Sequence, residues 1–121
     1  MMTGMSLYER LGGSEGIGQV AAEFYRLALG DPLLAPLFDG MDMVKLTAMQ
    51  TEFLSMAFGG PDGYAGRDLR TAHAGLHLGD EHFDRVVTLL AGALKNAGVG
   101  DRDIGDAAAV AESVRADVLG R

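Results

Sequence analysis

The amino-acid sequence predicts an all-α fold, and three observations lead to that prediction. Apolar residues recur at three- and four-residue steps over several segments, which is the spacing of a helix with one buried face. Glycine and proline separate these segments from one another. No segment alternates apolar and polar residues with the period of two that is typical of a half-buried strand. We therefore expect helices packed on helices and no sheet.

The first long helix is predicted to follow the glycine pair at 12–13, with Ser14 as its N-cap. A short helical turn over residues 6–11 precedes it. Its buried stripe would consist of Ile17, Val20, Ala21, Phe24, Leu27 and Ala28. The run Gly-Asp-Pro at 30–32 ends this helix, and the broken apolar stretch 33–38 is expected to form irregular or short helical turns.

Asp42 is the predicted N-cap of the next helix, which the sequence Gly-Gly-Pro at 59–61 ends. Its inward stripe reads Met43, Leu46, Met49, Gln50, Phe53, Leu54 and Ala57. Gln50 is the polar member of that stripe. A buried amide without a partner costs on the order of 1–3 kcal/mol, so we expect the Gln50 side chain to have something to bond.

Three helices are predicted in the second half of the chain. A loop of turn residues leads to a helix of modest length over 68–76, whose inward face carries Leu69, Ala72, His73 and Leu76. A stronger helix begins at Asp80 and buries Phe83, Val86, Val87, Leu90 and Leu94 before Gly98. The last helix begins near Asp101 and presents Ile104, Ala107, Ala111, Val114 and Val118 to the core.

Length, charge and composition limit the class of protein. At 121 residues the chain is expected to form one domain over 1–121, with residues 1–5 as a flexible N-terminus. A net charge of −7 leaves no basic face for nucleic acid, and the absence of cysteine excludes disulfides and iron–sulfur clusters. No signal peptide and no apolar run of roughly 20 residues is present. We expect a cytoplasmic protein without a membrane span.

The three histidines of the chain, His73, His77 and His82, all lie between residues 73 and 82. Neutral imidazole is the commonest protein ligand for transition metals. His73 lies on an apolar helix face, where it is either a ligand or a core histidine. His77, four residues later, would allow a two-histidine zinc site, but no third ligand with zinc-site spacing follows. His82, which has acidic neighbours near a helix start, is interpreted as a solvated residue.

Tyr25 lies beside the buried stripe of the first long helix, so its hydroxyl could reach water at the edge of the core. Taken singly, Tyr25 and Gln50 are more often core-edge polar groups than site residues. Together with a buried His73, they would be polar groups that converge on an apolar cavity, which is the usual composition of a small-ligand site.

Several short motifs follow one another along almost the whole chain. They are LYERLGG at 7–13, FY at 24–25, LF at 37–38, QTEF at 50–53, FGGP at 58–61, YAG at 64–66, AHAGL at 72–76 and HFD at 82–84. Their order and spacing resemble the group I truncated haemoglobins, which are short globins with a two-on-two helical sandwich around haem. The resemblance implies that fold for this chain.

The resemblance also implies a role for individual residues. His73 matches the proximal histidine that binds the haem iron, and Phe38 matches the phenylalanine that packs against the haem. Tyr25 matches a distal tyrosine that donates to bound dioxygen, and Gln50 matches the glutamine that orients it. Leu46 falls where many globins carry a distal histidine, so the Tyr25–Gln50 pair would have to stabilise the bound gas.

Further haem contacts follow from the same resemblance. The apolar walls would be Phe53, Leu54, Leu69, Leu78, Phe83 and Val87. Tyr64, together with Arg67, Arg70 or Lys45, would meet the haem propionates, although a solvated rim explains those charges equally well. The final helix contains no histidine, so the covalent histidine–haem link of some family members is not available. Haem b would therefore be held noncovalently.

The implied function is reversible binding of dioxygen and of other diatomic gases such as carbon monoxide and nitric oxide. The Tyr25–Gln50 pair predicts high oxygen affinity with slow release. One alternative is an enzyme, either a nitric oxide dioxygenase served by an external reductase or a weak peroxidase. A gas or redox sensor and a haem-free helical interaction module are the others. The sequence leaves the oligomeric state open.

Overall fold

The computed structural model describes residues 5–60, 73 and 76–120. Its helices are α1 (Leu7–Arg10), α2 (Gly13–Leu29), a 3-10 helix (Ala35–Phe38), α3 (Met43–Ala57), α4 (Asp80–Asn96), α5 (Asp101–Glu112) and α6 (Arg115–Leu119). His73 is also helical, whereas the remainder of the predicted 68–76 helix and the loop before it lie largely outside the described residues. These ranges contain no strand, which confirms the prediction of an all-α fold.

Two pairs of helices form the body of the fold. Helix α2 packs against α3 and α4, and α4 packs against α5, so the pairs α2–α3 and α4–α5 make a two-on-two arrangement. Ile17, Leu34 and Leu94 are almost completely buried where these elements meet. Within the described ranges, no helix is both long enough and apolar enough to cross a membrane.

The start of α2 differs from the sequence prediction. The helix begins at Gly13, and its N-cap is Gly12 with φ 96°, a left-handed conformation that favours glycine. Ser14 is therefore not the N-cap. It is already inside the first turn, where its hydroxyl shares a hydrogen bond of 3.0 Å with the hydroxyl of Tyr8. A backbone turn made by the glycine pair starts the helix in place of a side-chain cap.

The other predicted boundaries are closer to the structure. Asp42 caps α3 as predicted, since its Oδ1 accepts hydrogen bonds from the backbone N–H groups of Val44 (3.1 Å) and Lys45 (3.2 Å). Helix α4 begins at Asp80, as predicted. The predicted last helix is interrupted after Glu112, so that α5 and α6 are separate elements.

Polar contacts connect elements that are distant in sequence. Arg10 on α1 bonds Asp103 on α5 through Nε at 2.9 Å. Asp31, which follows α2, pairs with Arg85 of α4, and this contact lowers the pKa of the Asp31 carboxyl. Glu23 accepts a hydrogen bond from Asn96 Nδ2 at 2.9 Å, which connects α2 to the end of α4. These contacts connect α1, α2 and the segment after α2 to α4 and α5.

Candidate functional site

A cavity of about 260 Å³ lies between α2, α3 and α4, close to the usual size range of ligand pockets, about 300–1,000 Å³. Its described wall is apolar apart from four residues, which are Tyr25, Gln50, His73 and His82. Of the predicted haem contacts, the structure places Tyr25, Phe38, Leu46, Gln50, Phe53, Leu54, His73, Leu78 and Phe83 on this wall. Residues that are far apart in the sequence therefore meet at one pocket.

Some predicted contacts do not lie on the described wall. Val86 lines the cavity in place of Val87, which is the next residue of α4 and points about 100° further around the helix. Lys45 is exposed on α3 and is not part of the wall. The predicted contacts Tyr64, Arg67, Leu69 and Arg70 lie outside the described residues.

Tyr25 is buried, with only 7% of its surface exposed, rather than a solvated edge residue. Its ring meets the ring of Phe38 edge-on, with centroids 5.6 Å apart and an interplanar angle of 87°. Burial raises the pKa of the Tyr25 hydroxyl, so this group remains protonated and able to donate a hydrogen bond. The aromatic contact holds the hydroxyl at the cavity wall without using its hydrogen-bonding capacity.

Gln50 reaches the same cavity from α3, one helical turn after Leu46. Among the residues that the structure describes, neither the Gln50 amide nor the Tyr25 hydroxyl has a hydrogen-bond partner in the protein. The expected partner for Gln50 is thus not another described side chain. Both groups line an apolar cavity, where a bound ligand would be their partner.

His73 is half-buried and helical, and it lies on the cavity wall. Its backbone carbonyl accepts a hydrogen bond from the N–H of Leu76 at 3.3 Å, and Leu76 itself is not helical. His77 follows in a left-handed conformation with φ 54°, and its side chain is exposed. The bend after Leu76 thus separates the two histidines, with only His73 on the cavity wall.

His82 also lines the cavity, so its interpretation as a solvated residue was wrong. Its side chain is 19% exposed, and its Nδ1 accepts a hydrogen bond from the backbone N–H of Gly79 at 3.0 Å. His82 is the third residue of α4, from which a side-chain acceptor can reach back to the residue before the helix. The signal in the sequence was this position relative to the helix start rather than the charge of the neighbours.

The C-terminal helices close one side of the cavity. Val110, Ala111, Val114, Val118 and Leu119 all contribute to the wall. Arg115, between two of them, bonds Asp80 at 3.0 Å and pairs with Asp84, both at the start of α4. It also bonds Glu112 of α5 at 2.9 Å through Nε, and this contact lowers the pKa of the Glu112 carboxyl. Arg115 thereby attaches the end of the chain to α4.

The fold and the site together define a class of protein. Two helix pairs enclose an apolar cavity, and two histidines, the buried Tyr25 and the partly buried Gln50 lie on its wall. This is the arrangement of a helical protein that holds a largely apolar cofactor.

Comparison with known families agrees with that class and is more specific. The model of the bacterial-like globin family matches residues 6–119. A group 1 truncated haemoglobin of Tetrahymena pyriformis is 40% identical over 116 residues, which are 96% of each chain. Another from a Synechocystis species is 42% identical over 110 residues, 88% of this chain and 89% of the relative. The chain therefore belongs to the bacterial-like globins and, within them, to the group 1 truncated haemoglobins.

Solved structures show the same likeness. The crystal structure of the Tetrahymena pyriformis truncated haemoglobin in the Fe(III) form matches with a TM-score of 0.93 and 39% identity, over 97% of this chain and 100% of that one. A 2/2 haemoglobin of a Synechococcus species, in the cyanomet state with covalently attached haem, matches with a TM-score of 0.91 and 36% identity over the same shares. The prediction of a two-on-two truncated globin is thereby confirmed.

Membership of the globin family implies that the chain binds haem. The residues of the cavity fit that group. Phe38, Phe53 and Phe83 line it with flat apolar rings that suit a porphyrin, and His73 places on its wall an imidazole, the group that ligates haem iron in globins.

Proposed function

We propose that this globin would hold haem b noncovalently, with His73 as the protein ligand of the iron, and would bind dioxygen reversibly beside Tyr25 and Gln50. The observation that carries the proposal is the pair of polar side chains, Tyr25 and Gln50, on a mostly apolar wall, neither of which has a hydrogen-bond partner within the described protein. Such a pair is costly in an empty pocket and favourable when a polar ligand completes its hydrogen bonds.

The choice of His73 rests on comparison of the three histidines. His77 is exposed and off the cavity wall, and His82 already uses Nδ1 to bond the start of α4. His73 lies on the wall and is itself in a helical conformation, which suits a ligand held in one orientation. The chain has no histidine after residue 82, so α5 and α6 offer none for a covalent bond to the porphyrin.

The distal pair would determine how long a gas stays bound. Haem supplies the iron that binds the diatomic gas, and the protein supplies the donors around it. A neutral hydrogen bond contributes about 0.5–1.5 kcal/mol, so two donors would slow release of oxygen by roughly one to two orders of magnitude. The Tyr25 hydroxyl is suited to this because burial keeps it protonated.

The apolar side chain of Leu46 would strengthen the hydrogen bonds that Tyr25 and Gln50 make to a bound gas. It lies on the cavity wall one helical turn before Gln50, at the position that the family resemblance assigns to a distal histidine in other globins. Without a third polar group there, the pocket stays poor in water and the hydrogen bonds of Tyr25 and Gln50 act in a low-dielectric environment. High affinity with slow release is the expected outcome.

Absorption spectra of the haem-reconstituted protein test the proposal. We expect a strong Soret band that shifts on reduction with dithionite and again on addition of carbon monoxide. We also expect a stable oxygenated form with a dissociation rate that stopped-flow mixing can measure. Failure to take up stoichiometric haem, or reduction without a carbon monoxide shift, would contradict the proposal.

Mixing the oxygenated protein with nitric oxide separates gas binding from an enzymatic function. For the binding function we expect a single stoichiometric reaction and no sustained turnover when a reductase and its reduced cofactor are added. Multiple turnovers, with nitrate formed in excess of haem, would instead identify a nitric oxide dioxygenase.

A further inference from the structure

The fourth polar residue of the cavity wall, His82, has no role in the proposed binding of iron or gas. Its ring lies on the wall at the third position of α4, and its side chain is 19% exposed. It is therefore near the border between the apolar cavity and solvent. A group in such a place is suited to the polar edge of a largely apolar ligand rather than to its centre.

The hydrogen bond to Gly79 determines what else the ring can do. Nδ1 accepts the Gly79 N–H at 3.0 Å, so this nitrogen carries a lone pair and the proton of the neutral ring is on Nε2. Within the described ranges, no group of the protein is bonded to Nε2. This hydrogen bond orients the ring, and in the tautomer that it favours one N–H donor is left over at Nε2. The carboxylate oxygen Oε1 of Glu81 lies 3.6 Å from Nδ1.

The chemistry of the ligand indicates where that donor would be used. Haem b is apolar except for its two propionate carboxylates, and a partly buried carboxylate requires donors. The described part of the cavity wall contains no lysine or arginine, and Lys45 lies on the exposed surface of α3. His82 is the N–H donor of this wall that lies nearest to the start of α4, where water is also accessible.

We propose that His82 donates a hydrogen bond from Nε2 to a haem propionate and so positions the cofactor in the cavity. This inference rests on the proposed function, because it requires haem in the pocket. It assigns His82 as a positioning residue, whereas the gas would be bound by other groups. The backbone N–H of Gly79 supports this role. Because it donates to Nδ1, it favours the tautomer in which Nε2 carries the proton that the propionate would accept.

Removal of the propionate charge provides the test. The apoprotein is loaded either with haem b or with its dimethyl ester, and the rate of loss to an excess of a haem acceptor is measured for both. His82→Gln removes the imidazole but keeps an acceptor for the Gly79 N–H, since glutamine serves at this position of a helix start. We expect about tenfold faster loss of haem b and no change for the ester.

His77→Asn is the matched control. It removes an exposed imidazole that is off the cavity wall, at a left-handed position that asparagine tolerates well. Its loss rates should equal those of the wild type for both porphyrins. Equal acceleration of haem and ester in His82→Gln would mean that the ring acts only by packing, and unchanged rates would also overturn the proposal.

Nitrogen NMR gives a second readout that does not depend on gas binding. In the apoprotein, the chemical shifts of His82 should be those of the tautomer with the proton on Nε2, and haem loading should slow exchange of that proton with water. Uptake of haem by the wild type with an unprotected Nε2–H would reject the His82 contact while the globin function stands. No haem uptake at all would reject the proposed function itself.

Discussion

The guanidinium carbon of Arg115 lies 4.6 Å from the centroid of the Phe83 ring, in a cation–π contact. Phe83 is 5% exposed and lines the cavity, whereas Arg115 belongs to α6 near the end of the chain. The same arginine pairs with Asp80 and Asp84 at the start of α4. One residue thereby holds the C-terminal helix against the wall of the pocket.

Replacement of Arg115 by alanine should therefore loosen the pocket rather than the whole fold. The cation–π contact contributes about 0.5–1 kcal/mol, and the part-exposed ion pairs add less than their number suggests. We expect haem loss to become about 3- to 10-fold faster, measured by transfer to an acceptor globin. Arg102→Ala, an exposed arginine on α5, serves as the control and should leave the rate unchanged. Equal rates in the two variants would show that Arg115 does not retain the cofactor.

Tyr25→Phe removes one hydroxyl and keeps the ring that packs edge-on against Phe38. Because the hydroxyl is buried and protonated, its loss should speed oxygen dissociation by about tenfold, which stopped-flow mixing with carbon monoxide measures. Tyr8→Phe is the matched control, since the Tyr8 hydroxyl bonds Ser14 and does not line the cavity. A normal oxygen dissociation rate in Tyr25→Phe would exclude this hydroxyl as the distal donor.

His73→Gly should abolish stable ligation of haem while leaving space for a small molecule. We expect millimolar imidazole to restore the spectrum of a histidine-ligated haem, because it can occupy the position of the missing side chain. His77→Gly should keep a normal spectrum without imidazole, since the side chain of His77 is exposed. A wild-type spectrum in His73→Gly without added imidazole would mean that another residue binds the iron.

The fold could be predicted from the sequence because helical periodicity and helix-ending glycines depend on local chemistry. Asp42, for example, was identified as a cap, and its Oδ1 does bond the first turn of α3. The prediction for Ser14 was wrong, since Gly12 is the N-cap of α2 and the Ser14 N–H donates to the Tyr8 hydroxyl at 3.1 Å. Local rules do not distinguish a serine that caps a helix from one whose hydroxyl bonds a tyrosine of the preceding helix.

The residues of the site were harder to predict from the sequence than the fold, and His82 shows why. Its acidic neighbours suggested solvent, but a residue three positions into a helix can point back to the start, and His82 does so. Val86 and Val87 illustrate the same limit, because a shift of one residue turns a side chain by about 100° around the helix. Which of two helix faces meets a cavity depends on packing between distant elements.

Acid should remove part of the stability that Glu23 provides. Hydrogen bonds from Arg26 and Asn96 lower the pKa of Glu23 from 4.5 to about 2, so the folded state favours the ionised carboxylate. This contribution is complete above about pH 5 and is lost as the pH falls towards 2. In urea unfolding of the apoprotein, Glu23→Gln should therefore be less stable than the wild type at pH 6, and the difference should shrink by pH 3.

The matched control for that pH series is Glu15→Gln, which removes an exposed carboxylate from the first turn of the same helix. It controls for the general effect of one charge less on a protein of net charge −7. A stability difference for Glu23→Gln that stays constant from pH 6 to pH 3 would contradict the proposed role of its hydrogen bonds.

The corner between α1 and α2 depends on the absence of a side chain at Gly16. A Cβ there would lie well inside van der Waals contact with the backbone carbonyl oxygen of Leu11, which cannot move without displacing α1. We expect Gly16→Ala to destabilise the apoprotein by about 1–3 kcal/mol in urea unfolding.

Gly105→Ala is the matched control, because a Cβ at this helical position of α5 meets open space. It should stabilise the protein by up to about 1 kcal/mol, since alanine favours helix. Equal effects of the two substitutions would mean that the α1–α2 corner can relax and that helix propensity alone sets the cost of a side chain.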